Sequence, residues 1–273
     1  MISFPNAKIN LGLNVVGVRS DGYHNLETVF YPIPLCDALE IVPAKRLSLN
    51  ILGLPVEGDW EKNLVVRAFR LLQEDFGIPE VAIVLQKNIP MGAGLGGGSS
   101  DAAFMLKMLN EQFALHLTTE QLERYASQLG ADCAFFAQNK PVFAEGIGNE
   151  FSPISLSLKG WHVVLIKPDT HISTAEAYRG VKCVAPDVRL REALQCPMAA
   201  WKDCVCNDFE ASVFPLHPEL GEIKQWLYDS GAVYAAMSGS GSTIYGIFQS
   251  DVQLSDNQEF NGHSCRVYNR VLE

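Results

Sequence analysis

Positive charge is scarce in this chain. Its 273 residues carry 21 Lys and Arg against 31 Asp and Glu, a formal net charge of −10. That balance argues against general nucleic-acid binding, which needs a basic surface, and any site for an anionic small molecule must be locally basic. Long apolar runs are also missing. The strongest stretches, such as His162-Val-Val-Leu-Ile166, fall far short of the about 20 residues a membrane-spanning helix needs. The start, Met1 to Lys8, has no charged head followed by an apolar run, so no signal peptide is expected. Both absences point to a cytoplasmic protein without a membrane partner. The seven cysteines are odd in number, Cys204-Val-Cys206 is not a Cys-x-x-Cys pair, and the histidines do not fall at zinc-ligand spacing. Free thiols in a reducing compartment, and no structural metal, are the expectation. There is no internal repeat and no low-complexity tail.

What the chain does have is an apolar content of 48%, enough for one large domain or two lobes, and a concentration of glycine. In Pro90-Met-Gly-Ala-Gly-Leu-Gly-Gly-Gly-Ser-Ser-Asp101, positions 92, 94, 96, 97 and 98 are glycine. Glycine costs backbone entropy, so such a cluster needs a reason. Val81 to Leu85 before it reads as a strand. Ser99 to Asn110 after it has apolar residues at helical spacing (Ala102, Met105, Leu106, Leu109). Ser99 or Ser100 is expected to cap that helix, with Asp101 in its first turn. Strand, glycine loop and helix start together make an anion cradle, because exposed peptide N–H groups and the positive end of the helix dipole favour phosphate. A flexible glycine turn is the plainer alternative.

Two familiar phosphate loops do not fit. A Walker A loop ends in Gly-Lys-Ser/Thr, but Ser99 follows Gly98 directly. Gly92-x-Gly94-x-x-Gly97 matches the dinucleotide pattern, but that fold requires a strand soon after the helix. Thr118 to Leu129 reads instead as a second helix.

Along the rest of the chain, residues 1–18 alternate as a strand. Ala7, Ile9, Leu11, Leu13 and Val15 share one face, and Lys8, Asn10 and Asn14 lie on the other. That polar row is either solvated or part of a site. Arg19-Ser-Asp-Gly is a turn that delivers Tyr23 and His24 to the next strand. Short strands are expected at 37–42 and 47–51, and a helix at 63–76 capped by Asn63 and stopped by Gly77. Asp132, alone among Ala131, Cys133, Ala134, Phe135 and Phe136, is either a cap or a functional group, since an isolated carboxylate there is costly. Residues 142–151 read as a hairpin turning at Gly146 and Gly148, and serine-rich 152–160 as a boundary between lobes at 1–155 and 156–273. A strand at 161–167, helices from Ala175, at 187–193, 207–213 and 218–230, and a strand–glycine loop–strand over 232–248 complete the pattern.

Three segments, Pro5-Asn-Ala-Lys-Ile-Asn-Leu-Gly-Leu-Asn14, Pro90 to Asp101 and Met237-Ser-Gly-Ser-Gly-Ser-Thr243, resemble the three motifs of the GHMP kinases, in that family's order. The resemblance runs the whole chain. It implies an α+β, two-lobed fold: an N-terminal lobe with a mixed sheet and helices, a C-terminal lobe with an antiparallel sheet and helices, and the active site in the cleft between them. Arg19-x-Asp21-Gly-Tyr-His24 and Gly130-Ala-Asp132 resemble the branch of the family that phosphorylates, with ATP, the tertiary 2-hydroxyl of a methylerythritol carrying a cytidine diphosphate group, on the non-mevalonate route to isoprenoids.

On that resemblance Lys8 and Asp132 are the catalytic pair, Asp132 as base and Lys8 as its charge partner. Pro90, Met91, Gly92, Ala93, Gly94, Leu95, Gly96, Gly97, Gly98, Ser99 and Ser100 hold ATP, with Asn63 near the adenine. Asn10, Tyr23, His24, Thr174, Tyr178, Gly239, Ser240 and Gly241 hold the acceptor. In that set His24 reads the base edge and Tyr23 and Tyr178 sandwich the ring; much of the branch has phenylalanine where Tyr178 stands. Mg2+ arrives with ATP near Ser99 or Ser100, with no dedicated metal site and no tightly bound cofactor. The protein is a monomer or weak homodimer. The competing readings are another GHMP kinase acting on a sugar or homoserine, and a non-catalytic nucleotide-binding module. Tyr23-His24 opposes the first, and the presence of both Lys8 and Asp132 opposes the second. A dehydrogenase would place the glycine loop after its first strand, not some 80 residues in.

Overall fold

The computed structural model describes residues 1–181, 183, 188–254, 257–260 and 263–272. The chain runs β1 (Ile2–Ser3), β2 (Asn6–Val18), β3 (His24–Cys36), β4 (Ala38–Pro43), β5 (Ser48–Gly53), α1 (Leu64–Phe76), β6 (Val81–Lys87), α2 (Gly97–Gln112), α3 (Thr119–Leu129), α4 (Ala131–Gln138), β7 (Val142–Glu145) and β8 (Glu150–Pro153). It continues through β9 (His162–Pro168), α5 (Thr174–Arg179), α6 (Leu190–Ala193), α7 (Trp201–Cys204), α8 (Phe209–Val213), α9 (Pro218–Asp229), β10 (Tyr234–Met237), β11 (Ile244–Phe248), β12 (Asn257–Phe260) and β13 (His263–Val271).

These elements form two compact units that interleave along the chain. One comprises Met1–Lys8, Leu35–Met91 and Gly96–Lys140; the other comprises Ile9–Pro34, Gly92–Leu95 and Pro141–Glu273. Compactness divides the chain in β2, near the end of β3, twice within the glycine stretch and between Lys140 and Pro141.

In the first unit the strands lie in the order β1-β4-β6-β5. The β4–β6 pair is antiparallel and β5–β6 is parallel, which makes the sheet mixed. Helices α1 to α3 pack over it through Val66, Phe69, Leu72, Met105, Leu109 and Leu122, with Leu39, Ile41, Ile83 and Leu85 from the sheet. Helix α1 is local chemistry made visible: Asn63 Oδ1 accepts from Val65 N at 3.0 Å, and Gly77 ends the helix at φ 62°. Thr118 and Gln121 form a capping box on α3.

The second unit contains a fully antiparallel five-stranded sheet, β10-β11-β9-β13-β12. Helices α5, α8 and α9 supply Ala177, Phe209, Val213, Leu220, Ile223 and Leu227 to the core beside Val164, Ile166 and Ile244. The remaining sheet has the order β2-β3-β7-β8, and β7 and β8 form the expected hairpin. The helix expected at 187–193 is observed from Leu190, and Asp187 lies outside the described residues. Asn207 is not helical; α8 starts at Phe209. Helix α7 and the β12–β13 hairpin are additions to the sequence reading.

Candidate active site

The first unit holds a pocket of about 340 Å³ lined by Val56, Trp60, Asn63, Met91, Gly98 and Asp101, among others. That volume is within the range of small-ligand sites. Asn63, expected near an adenine, stands at its wall because its own helix-capping role fixes it at the start of α1.

At one side of this pocket the glycine stretch enters α2. The helix begins at Gly97, two residues before the serines, and Gly96 is its N-cap at φ 70° with no side-chain cap bond. This corrects the expected Ser99 or Ser100 cap: both serines are inside the helix. Asp101 is likewise beyond the first turn. The first backbone bond of the helix is Ser100 N to Gly96 O at 2.9 Å, so the N–H groups at 97–99 precede the ladder and are the ones a helix start offers to an anion. Glycine at 96 follows from crowding as well as φ, because a Cβ there would lie 3.0 Å from Phe136 Cε2 and 3.2 Å from Lys8 Cε. Ser100 is fully buried, and its Oγ has no hydrogen-bond partner among the described residues. Ser99 faces α4, where its hydroxyl bonds the Cys133 thiol, whose pKa burial pushes up to about 11.

Lys8 and Asp132 meet in the same unit, with Lys8 Nζ 3.5 Å from Asp132 Oδ2. β2 supplies the lysine. The first turn of α4 supplies the aspartate, with Gly130 rather than Asp132 as N-cap. Lys8 is buried although it belongs to the polar row of β2, and Asp132 is partly exposed. Burial lowers the Lys8 pKa from the ordinary lysine value, and the Asp132 carboxylate opposes that fall. The Lys8 ammonium, beside the Gly96 N-cap, sets positive charge near the helix start.

Sequence reasoning missed the group beneath. Lys87 is buried and ion-paired with Asp37 and with Asp101, the latter at 2.7 Å. Asp37 Oδ1 also accepts from Asn88 N at 2.5 Å and Ile89 N at 2.8 Å, which pins the chain where it leaves β6 for the glycine loop. Burial pushes the Asp101 carboxyl up to about 7; Lys87 opposes the shift and Asp37 adds to it. One signal was available: Val81, Ile83, Leu85 and Lys87 occupy the same buried phase of β6, so the lysine stands where a core residue belongs.

The second unit collects the expected acceptor residues around Met237–Thr243. Ser238 Oγ donates to Gly94 O at 2.8 Å and accepts from Asn10 N at 3.3 Å. Thr243 N donates to Ala93 O at 3.3 Å. Asn10 Nδ2 donates to Thr28 Oγ1 at 2.9 Å, and Asn10 Oδ1 would lie 3.3 Å from a Cβ at Gly239. Thr174 Oγ1 is 3.4 Å from Ser240 Oγ. At the other end of α5, the Tyr178 ring stacks on His24 at 4.7 Å and meets Phe209 edge-on at 4.8 Å. Tyr23 is 63% exposed. Asn14, by contrast, turns away to Asp208 Oδ1 at 3.2 Å. Among the described residues no group of three or more His, Cys, Asp and Glu could hold a metal ion.

Gly94 is the tightest of these contacts. Its φ is +76°, and a Cβ there would run into the Ser238 carbonyl. Gly94→Ala is therefore expected to cost about 1–2 kcal/mol from the left-handed backbone alone, and more from the clash. Thermal unfolding measures it; a melting temperature equal to that of the parent protein would remove the close approach from the account.

A glycine-capped helix start thus stands beside the buried Lys8 ammonium and the partly exposed Asp132 carboxylate. The description "GHMP kinases N terminal domain" matches residues 63–140, and "GHMP kinases C terminal" matches 191–258. The chain belongs to the GHMP kinase family, and is a kinase with ATP as co-substrate. It is 57% identical to the 4-diphosphocytidyl-2-C-methyl-D-erythritol kinase of Bacteroides fragilis over 97% of this chain and 98% of that one. It is 53% identical to the enzyme of the same name from Parabacteroides distasonis, over 96% of each. A crystal structure of 4-(cytidine 5'-diphospho)-2C-methyl-D-erythritol kinase superposes with a TM-score of 0.78 at 35% identity, covering 90% of both chains.

Proposed function

We propose that this kinase transfers the γ-phosphoryl group of ATP to the 2-hydroxyl of 4-diphosphocytidyl-2-C-methyl-D-erythritol, on the non-mevalonate route to isoprenoid precursors. The observation that carries the chemistry is the Lys8–Asp132 pair at 3.5 Å beside the Gly96 N-cap. The names of the 57% and 53% identical relatives support the choice of acceptor. In this reading the adenine occupies the pocket at Asn63, and the N–H groups of 97–99 face the phosphates. Mg2+ travels with the nucleotide. Asp132 takes the hydroxyl proton as the phosphoryl group moves, and Lys8 keeps Asp132 ionised and offsets the charge of the transferring group. Phosphoryl transfer depends chiefly on such positioning and electrostatics.

The acceptor's cytosine joins the aromatic group of Tyr23, His24 and Tyr178, with His24 at its edge. Its phosphates lie toward Asn10, Thr174 and the 239–241 backbone. Lobes at 1–155 and 156–273, and a cytoplasmic monomer or weak homodimer, complete the reading. The test is ATP consumption with the cytidyl acceptor against sugars, homoserine and mevalonate. Turnover of one of the others, with none of the cytidyl compound, would sink it.

A second measurement isolates the base contact. Stacking of a base on an aromatic side chain is worth about 1–3 kcal/mol, so Tyr178→Ala is expected to raise the acceptor KM by roughly 5- to 150-fold, with the ATP KM unchanged. Tyr178→Phe should stay near the parent value. Equal rises for both substrates would point to a general disturbance of the site and away from base recognition.

A further inference from the structure

The segment Asn207-Asp208-Phe209-Glu210 entered no part of the functional reading, yet it reaches the acceptor-side loop and the first long strand at once. Asn207 is buried. Its Nδ2 donates to both Met237 O and Gly239 O at 2.8 Å, and its Oδ1 accepts from Phe209 N at 3.0 Å. All three bonds are short and internal, so the amide has one orientation that satisfies it. Glu210 Oε1 accepts from Met237 N at 2.8 Å, and its other oxygen accepts from Lys224 at 2.6 Å. Met237 is thus held at both its N–H and its carbonyl. Asp208 turns the opposite way: Oδ2 accepts from Val15 N at 2.7 Å and Oδ1 from Asn14 Nδ2 at 3.2 Å. Two backbone bonds, Leu13 N to Cys206 O and Asp208 N to Leu13 O, both 2.8 Å, lock the segment to β2.

A glycine-rich loop has little stiffness of its own, since each glycine brings wide backbone freedom. The loop after β10 has Gly239 at φ 57° and Gly241 at φ 90°, and its carbonyls must point away from any anion that its N–H groups face. A side-chain amide drawing the carbonyls of 237 and 239 to one side imposes that orientation. We propose that Asn207 is a positioning residue for the acceptor: it draws the carbonyls of Met237 and Gly239 toward itself, so that the loop presents the N–H groups of 239 and 240 to the acceptor's phosphates. Glu210 is the second clamp. This inference rests on the acceptor reading above for the identity of the anion, but not for the geometry of the loop.

The effect is specific to one substrate. Ser238 holds Gly94 and Asn10 through its own hydroxyl, and neither bond involves Asn207. Asn207→Ala is therefore expected to raise the acceptor KM about tenfold or more, in line with the cost of small misplacements in a site, and to leave the ATP KM within about twofold. A residue that served only stability would lower the active fraction and leave both KM values alone. Asn207→Asp is the second variant. It keeps an oxygen for Phe209 N but sets a carboxylate against two carbonyls, and protonation restores a donor. Its acceptor KM, relative to the parent protein at each pH, is expected to fall from pH 8 toward pH 6 as the buried carboxyl takes up its proton.

The parent protein is assayed first against the acceptor panel, and the KM is read on whichever alcohol it phosphorylates. A different acceptor would overturn the substrate reading while still deciding the role of Asn207. Hydrogen exchange of the 236–244 backbone, which needs no turnover, is read in parallel and is expected to quicken in both variants. Unchanged exchange, or equal changes in the two KM values, overturns the proposal.

Discussion

Asp132→Asn is expected to lower kcat by about 10²–10⁴-fold, the range for losing a positioned general base, which adds roughly 2.7–5.4 kcal/mol to the barrier. ATP affinity should hold, because the pocket proposed for adenine at Asn63 and the N–H groups at 97–99 do not involve the carboxylate. The amide keeps the shape of the side chain and its place in the first turn of α4, so stability should change little. A second consequence concerns Lys8. Burial already lowers its pKa and Asp132 raises it, so removing the charge lowers it further. The pair should therefore behave as one device. Lys8→Met with Asp132→Asn is expected to be hardly slower than the worse single variant, as for other groups that act as a unit. Rapid-quench or coupled-assay kcat values, with ATP binding measured by calorimetry, check all three statements. Turnover unchanged in Asp132→Asn removes the base from the mechanism. Losses that multiply in the double variant remove the coupling.

Lys87→Met should be the most damaging single change to stability. It withdraws the cation from two buried carboxylates, and breaking a buried ion pair costs about 3–5 kcal/mol. For a chain of this size that is a fall in Tm of roughly 6–20 °C. Asp37 keeps the N–H groups of Asn88 and Ile89. Asp101 is the exposed point of the arrangement, since its carboxyl already sits at about 7 against an ordinary 3.8. An acid whose pKa is raised in the folded state is tolerated best when protonated. Below 3.8 it carries no penalty; the penalty builds as pH rises toward the folded value and is full above it. Without Lys87 the folded value rises further, so the deficit of Lys87→Met should be larger at pH 8 than at pH 5. Lys87→Met with Asp101→Leu, which removes both charges, should recover part of the loss. Thermal melts at the two pH values decide the matter. A variant as stable as the parent protein at pH 8 would mean that the group is wetter and looser than its geometry indicates.

The elements that could be read from sequence are those whose causes are local. Asn63 and Gly77 bound α1 because a cap and a left-handed stop act within one turn. The same holds for Thr118 and Gln121 on α3, and for the hairpin turning at Gly146 and Gly148. The start of α2 was misplaced for a related reason. Serine is the better cap by propensity, yet the chain uses Gly96, because a Cβ there would crowd Phe136 and Lys8, residues 40 and 88 positions away in sequence. The C-terminal hairpin β12–β13 lacks a strong local signature. Only Cys265 and Val267 of β13 are buried on the alternating phase, and the strand is defined by its seven-residue register with β9.

The sequence by itself determined the family, through three motifs in that family's order. It also determined both ends of α1 and the alternation of β2. Tertiary structure alone decided which of the polar residues on β2 go where. Lys8 finds Asp132, Asn10 finds Thr28 and the loop at 238, and Asn14 goes to Asp208. It likewise decided that Lys87, Asp37 and Asp101 share one buried site, and that Asn207 holds the backbone of Met237 and Gly239. These are pairings of polar groups separated by 14 to 228 positions. Burial makes each of them obligatory, because a charge or amide removed from water must find a partner. Sequence pattern shows only that a polar group sits in an apolar place; the fold supplies the group that answers it.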